Sequence, residues 1–244
     1  MQMPRIGTRK LYYLLQNSFK QQGLKVGRDK LFHFLRCEHL LIKPRKCYTK
    51  TTNSKHWLHK HPNRIKEQNF TKAEQLWVSD ITYLKTVEGN CYLSLINDAV
   101  SRKIMGHHLS ADLRTEGMME ALKMAITNRI HTHPLIHHSD RGLQYCSEDY
   151  QQLLITHAIQ TSMTDGYDCY QNALAERMNG ILKDEFLIHT YKNMEQARKV
   201  IDQSIYIYNN KRPHLSLNFQ TPEQVHKKST RTFEDSCGFL PLLL

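Results

Sequence analysis

The chain has 244 residues, 40% of them hydrophobic, and a mean hydropathy of −0.59. That is apolar enough to form a core, and it excludes a disordered chain. The longest apolar run, FLPLLL at the C-terminus, falls far short of the ~20 residues of a membrane span, so no membrane is expected and the expected location is cytoplasmic. Six cysteines (Cys37, Cys47, Cys91, Cys146, Cys169 and Cys237) form no C-x-x-C pair, which argues for free thiols rather than a disulfide framework or a zinc ribbon. The net charge of +11 is unevenly placed. Residues 1–69 hold 16 of the 34 Lys/Arg against Asp29, Glu38 and Glu67, a net +13, whereas the other 18 face the other 20 of the 23 acids, a net −2. A basic module beside a near-neutral one points to a polyanion such as DNA.

In chain order, KLYYLLQNSF (10–19) and RDKLFHFLRCEHLL (28–41) carry apolar residues at helical spacing, with two glycines in QQGLKVG between them. The spacing predicts two short helices and a turn, as in a helix-turn-helix unit whose second helix presents Arg28, Lys30 and Arg36 to DNA. A purely structural helical appendage has the same pattern. From Lys43 the chain is polar, basic and aperiodic, which reads as a wing or linker; His56, His59 and His61 belong to that solvated basic loop. Residues 76–109 contain three β-branched, alternating runs and read as an antiparallel meander. Next come a helix (114–130), the short strand PLIHH, a helix near 147–156, a strand at AIQTSM, and helices over 171–187 and 194–209. This order predicts an α/β architecture, a mixed sheet with helices packed on it.

Asp80 lies inside the first strand, LWVSDITYL, and Asp140 just past the C-terminal end of the fourth, in PLIHHSDRG. Taken singly, each is as well explained as a turn former or helix cap. Glu176 adds a third acid on the helix YQNALAERMNGILKDEF, where Asn172, Asn179 and Lys183 share its face and Ala173, Leu174, Met178, Ile181 and Leu182 supply the apolar side.

WVSDITYL, HHSDRGLQY and NALAERMNGILKDEF, with 59 residues between the aspartates and 35 between Asp140 and Glu176, resemble the DDE core of insertion-sequence transposases and retroviral integrases. The likeness extends from GTRKLYYLL to YNNKRPHLSLNFQTPEQVH and is nearest to the second-reading-frame (OrfB) product of two-frame insertion sequences. Gln171 stands where that family commonly has an acidic residue.

The resemblance implies a ribonuclease-H-like fold in which Asp80, Asp140 and Glu176 are the catalytic, metal-holding residues. It implies two Mg²⁺ or Mn²⁺ ions, a chemistry that oxygen ligands suit and that activates an attacking oxygen while stabilising a leaving one. It further implies DNA contact by Lys183, with Arg141, Asn172 and Arg212 as additional contacts; His137 and His138 flank the site. The expected activity is cleavage at element ends followed by strand transfer, on element-end and target DNA. Expected partners are the upstream-frame (OrfA) product or fusion and further copies of the chain, in a nucleoid-associated complex. A ribonuclease-H-type nuclease without strand transfer and a DNA-binding protein with an inactive core are the alternatives. The expected divisions are a helix-turn-helix-like module (1–45), a basic linker (46–72), a catalytic core (73–226) and a C-terminal tail (227–244).

Overall fold

The computed structural model describes residues 3–42, 59–66, 68–165 and 173–234. Its centre is a five-stranded sheet in the order β3-β2-β1-β4-β5. The strands are β1 (Leu76–Thr86), β2 (Gly89–Asp98), β3 (Ile104–Ser110), β4 (Leu135–Ser139) and β5 (Ile159–Met163). The first three form the predicted antiparallel meander, and β4 and β5 run parallel to β1. Helices α3 (Thr115–Thr127) and α4 (Glu148–Thr156) supply the connections into β4 and β5, and α5 (Ala173–Glu185) and α6 (Met194–Lys211) follow.

Both faces of the sheet are covered, and strand alternation decides which residue goes to which face. On β1, Trp77 packs with Met118, Leu122, Tyr150 and Leu154 of α3 and α4. The intervening residues Leu76 and Val78 pack with Ala175 of α5, and Leu84 packs with Met178 and Leu182. On β2, Leu93 and Leu95 join the α5–α6 side while Ile96 joins the α3 side. Each such side chain contributes about 1.5–3 kcal/mol when fully buried. Gly106 lets β3 approach α3 closely: a Cβ there would lie 2.0 Å from the Ala121 carbonyl oxygen.

The basic N-terminal part forms two helices, α1 (Thr8–Gln21) and α2 (Arg28–Cys37). Leu31 and Leu35 are buried, and Arg28, Lys30 and Arg36 are exposed. Lys10, however, is drawn inward. Its Nζ donates to Glu185 Oε1 (2.7 Å), and Arg212 donates to both oxygens of the same carboxylate (2.7 Å each). Tyr13 of α1 stacks on Phe219 at 4.7 Å. The N-terminal module is therefore seated on the core.

Two expected divisions are corrected. Part of the supposed linker lies along the sheet edge: Arg64 N–H donates to Ser162 Oγ (2.9 Å), Met163 N–H donates to the Pro62 carbonyl (3.4 Å), and Ile65 and Phe70 pack against the core. Backbone pairing of this kind covers the unpaired groups of an edge strand, which is why a polar, aperiodic segment can still be structural. At the other end, the 226/227 division falls inside α7 (Pro222–Glu234). The residues 46–58 and 235–244 of the linker and tail lie outside the described residues.

The Lys10–Glu185–Arg212 cluster generates a prediction. Burial alone would raise the Glu185 carboxyl, but the hydrogen bond and charge of Arg212, with Lys10, hold it below the usual carboxylate range. A depressed folded pKa stabilises the protein above the unfolded value, and this contribution is lost as pH falls through the folded one. Glu185→Ala leaves Arg212 buried without its counter-charge and is expected to cost about 3–5 kcal/mol. Urea unfolding at neutral pH measures this, and the gap from the unsubstituted chain should narrow on acidification.

Candidate active site

Three elements converge on the carboxylates. In the parallel β1–β4 ladder Trp77 pairs with His137 and Val78 with His138. Asp80 lies two residues beyond the last of these pairs on β1 and Asp140 just past the end of β4, so both stand at the same end of the parallel ladder. Both fall on the parity of Val78, the face that α5 covers, and α5 carries Glu176.

Each aspartate is held in place. Asp80 Oδ1 accepts from the Ile81 N–H (2.9 Å) and Oδ2 from Asn179 Nδ2 (2.6 Å). Asp140 Oδ1 accepts from the Gly142 N–H (2.9 Å). A Cβ at Gly142 would lie 3.0 Å from that same oxygen, so glycine allows the turn to close on the carboxylate. Glu176 is exposed on the first turn of α5.

The electrostatics show that the three acids share one site. Burial first, and then the Asp140 and Glu176 charges, push the Asp80 carboxyl up from 3.8 to about 7, against the lowering effect of its two hydrogen bonds. Glu176 is likewise raised, by burial and by Asp140. Three hard oxygen donors that repel one another in this way fit a divalent cation, which would relieve the repulsion. Asp80 and Asp140 line a cleft of roughly 700 Å³ together with Tyr83, Tyr92, Leu113 and Leu143.

Lys183, two turns beyond Glu176, donates to Thr82 Oγ1 (2.9 Å), and its ammonium lies 4.4 Å from the centre of the Tyr83 ring. It is thus poised over the end of β1, beside the cleft. Arg141 follows Asp140 and lies 3.8 Å from Asp165. Asn172 lies outside the described residues. Arg212 is corrected: only 3% exposed and bound to Glu185 through both carboxylate oxygens, it is a buried structural cation with no surface to offer DNA. Its neighbour His214 is also buried, and burial followed by the Arg212 charge lowers its pKa to about 3.

His137 and His138 are likewise internal. His137 Nε2 pairs with Tyr150 Oη (3.0 Å) and His138 Nδ1 with Ser162 Oγ (2.9 Å). Burial, with His138 beside it, lowers His137 to about 3, so it remains neutral. They brace β4 from its two faces, and neither reaches the cleft lining. The sequence places Asn179 on the face of Glu176 without giving it a task; the structure has it hold the Asp80 carboxylate. Thr82, two residues after Asp80 and so on the same strand face, is the residue that sequence reasoning did not single out; it accepts from Lys183.

Comparison with known proteins agrees with this geometry. The integrase core domain family matches residues 71–169, and a second integrase core domain family matches residues 157–222. The chain is 37% identical over 226 residues to the insertion element IS600 uncharacterized 31 kDa protein of Shigella sonnei, covering 91% of this chain and 81% of that one. It is 32% identical to the transposase InsF for insertion sequence IS3fB of Escherichia coli K12, over 88% of this chain and 76% of that one. Among solved structures, the HTLV-2 integrase catalytic core domain superposes with a TM-score of 0.51 at 20% identity, over 64% of this chain and 97% of that one. A chain of the simian T-cell lymphotropic virus intasome superposes with a TM-score of 0.56 at 19% identity, over 90% and 74%. The shared fold is ribonuclease-H-like, and with three carboxylates gathered at one end of the parallel ladder, the chain belongs to the insertion-sequence transposases built on an integrase core domain.

Proposed function

We propose that this transposase cleaves DNA strands at the ends of its element and joins the resulting 3′-hydroxyl to target DNA, with Asp80, Asp140 and Glu176 as its catalytic, metal-holding residues. The observation that carries this reading is the convergence of three acids on one site, where burial and then the Asp140 charge raise both Asp80 and Glu176. A pair of Mg²⁺ or Mn²⁺ ions held there would activate the attacking oxygen and stabilise the leaving one. Magnesium is named in the HTLV-2 integrase core complex, and an all-oxygen donor set suits it.

The chain's own side chains do the positioning. Asn179 fixes the Asp80 carboxylate and the Gly142 N–H fixes that of Asp140. Lys183, drawn from Thr82 and Tyr83 towards a phosphate, would place the DNA end in the cleft. Arg141, beside Asp140, and Asn172, four residues before Glu176 in the sequence, are further proposed DNA contacts. Arg28, Lys30 and Arg36, all exposed on α2, would hold DNA by its backbone from the seated N-terminal module. Assembly as several copies on DNA, together with an upstream-frame (OrfA) partner in the nucleoid, completes the proposal. No helix among the described residues is long and apolar enough to cross a membrane.

Asp80→Asn, Asp140→Asn and Glu176→Gln each remove a ligand charge at nearly constant volume. Each is expected to abolish Mn²⁺-supported nicking of an element-end duplex while gel-shift affinity stays nearly intact. Cleavage that persists in one variant removes that residue from the metal site.

The raised Asp80 pKa sets a pH dependence. The folded chain holds this proton more tightly than the unfolded one, so metal-free stability declines as pH rises from 3.8 towards about 7. Metal must displace the proton below that value. Apparent Mn²⁺ affinity is therefore expected to strengthen about tenfold per pH unit up to about 7 and to level off above it. A calorimetric titration at several pH values measures the slope, and a flat profile between pH 5 and 7 contradicts the assignment.

Strand transfer separates a transposase from a simple nuclease. Supplied with a pre-cut end and a target duplex, the chain, with its upstream partner present if required, is expected to join them. Lys183→Ala should lower joining on the order of 100-fold, the scale of a ~1 Å positioning error, with little change in melting temperature. Cleavage without any joining by the unsubstituted chain would favour the nuclease.

A further inference from the structure

A second group of metal-ligating side chains lies outside the carboxylate site. Glu74 precedes β1, His131 follows α3, and His226 sits on α7; one ligand atom from each comes within 4.8 Å of the other two. Glu74 and His226 are fully buried, and His131 is 8% exposed.

The proton inventory of the cluster is incomplete without a cation. Asp98 Oδ2 accepts from the Glu74 N–H (2.6 Å), and its Oδ1 accepts from both the N–H (2.6 Å) and the hydroxyl (2.7 Å) of Ser101. With Asp98 ionised, the Ser101 hydroxyl proton goes to Asp98 and the Ser101 oxygen accepts from His226 Nδ1, 3.1 Å away. In a neutral imidazole that leaves Nε2 with a bare lone pair, yet Nε2 faces Glu74 Oε1 at 3.0 Å. Two acceptors face each other unless a positive charge lies between them. His131 Nε2 adds a third buried acceptor or donor with no hydrogen-bond partner among the described residues.

We propose that Glu74, His131 and His226 form a second metal site, for zinc or a similar first-row transition dication, which clasps α7 to the catalytic core. Two imidazoles and one carboxylate suit zinc and disfavour magnesium, which wants oxygen alone. The relay from His226 Nδ1 through Ser101 to Asp98 is the outer support that metal-bound histidines commonly have. The Glu74 backbone, at φ 61, is held in the left-handed region, which turns the carboxylate inward. The other charges facing the group are Arg129, whose Nε lies 3.7 Å from Glu74 Oε2, and His133, whose ring stacks on His131 at 5.5 Å. Arg129 stands on the Oε2 side, where the His131 N–H also donates (2.7 Å), and Oε1, which accepts from the Ile130 N–H (3.0 Å), faces His226.

The alternative is a protonated His226 in a metal-free ion pair with Glu74, and metal content distinguishes the two. The full chain, stripped with chelator, is dialysed against Zn²⁺ in millimolar Mg²⁺, in an Asp140→Asn background so that the carboxylate site does not contribute. One zinc per chain is expected, with a melting temperature several degrees above the chelated sample. Co²⁺ in its place should give visible absorption bands of a low-coordinate nitrogen and oxygen site. His131→Gln should keep the metal-free melting temperature but lose the zinc-dependent rise. Its affinity should fall by more than the roughly 10- to 100-fold that loss of an outer partner costs. Less than stoichiometric zinc, no thermal shift, or His131→Gln binding zinc like its parent each overturns the site in favour of the ion pair.

Discussion

Two aspartates held together at one end of a parallel strand pair are the constraint on which this molecule is organised. The β1–β4 register brings Asp80 and Asp140 together whether or not their charges agree, and α5 adds Glu176 to the same face. Burial first, and then this conflict, raise Asp80 to about 7. A fold does not keep like charges together for stability, since burial and repulsion both oppose it. What makes the arrangement useful is a ligand of opposite charge, and the rest of the core holds the acids ready for it. Trp77 and Leu84 anchor β1 to the helices on its two faces, and Asn179 and Gly142 fix the carboxylate oxygens.

Much of this was legible before the fold was known. Strands show through β-branched alternation, and the working face of α5 shows through the spacing of Glu176, Asn179 and Lys183. What stayed hidden depends on partners far away in the chain. Arg212 follows a helix and looks like a surface cation, yet Glu185, 27 residues earlier, takes both its hydrogen bonds. Residues 62–64 carry no strand pattern because they contribute backbone groups and one basic side chain to the edge of β5, not an apolar face. From His226 the described side chains of α7 are HKK, and of these His226 alone is buried, so no apolar face shows there. No periodicity announces one buried polar residue.

These hidden contacts share a logic. Polar groups inside a protein must be fully partnered to be tolerated, and a partnered set fixes geometry more strictly than apolar packing does. Lys10, Glu185 and Arg212 tie α1 to the far end of α5, and so link the basic module to the helix that carries Glu176 and Lys183. Glu74, Asp98, Ser101 and His226 tie α7 to the start of β1 and the end of β2, and so reach the strand that carries Asp80.

The two polar ties therefore act on the two elements whose relative position sets the catalytic geometry. A shift of α5 along β1 would break the Asn179–Asp80 and Lys183–Thr82 contacts together, because one rigid helix carries both donors. The basic N-terminal module and α7 are thus each tied to an element that carries a carboxylate. For α1 the tie is to Glu185, nine residues along the helix from Glu176.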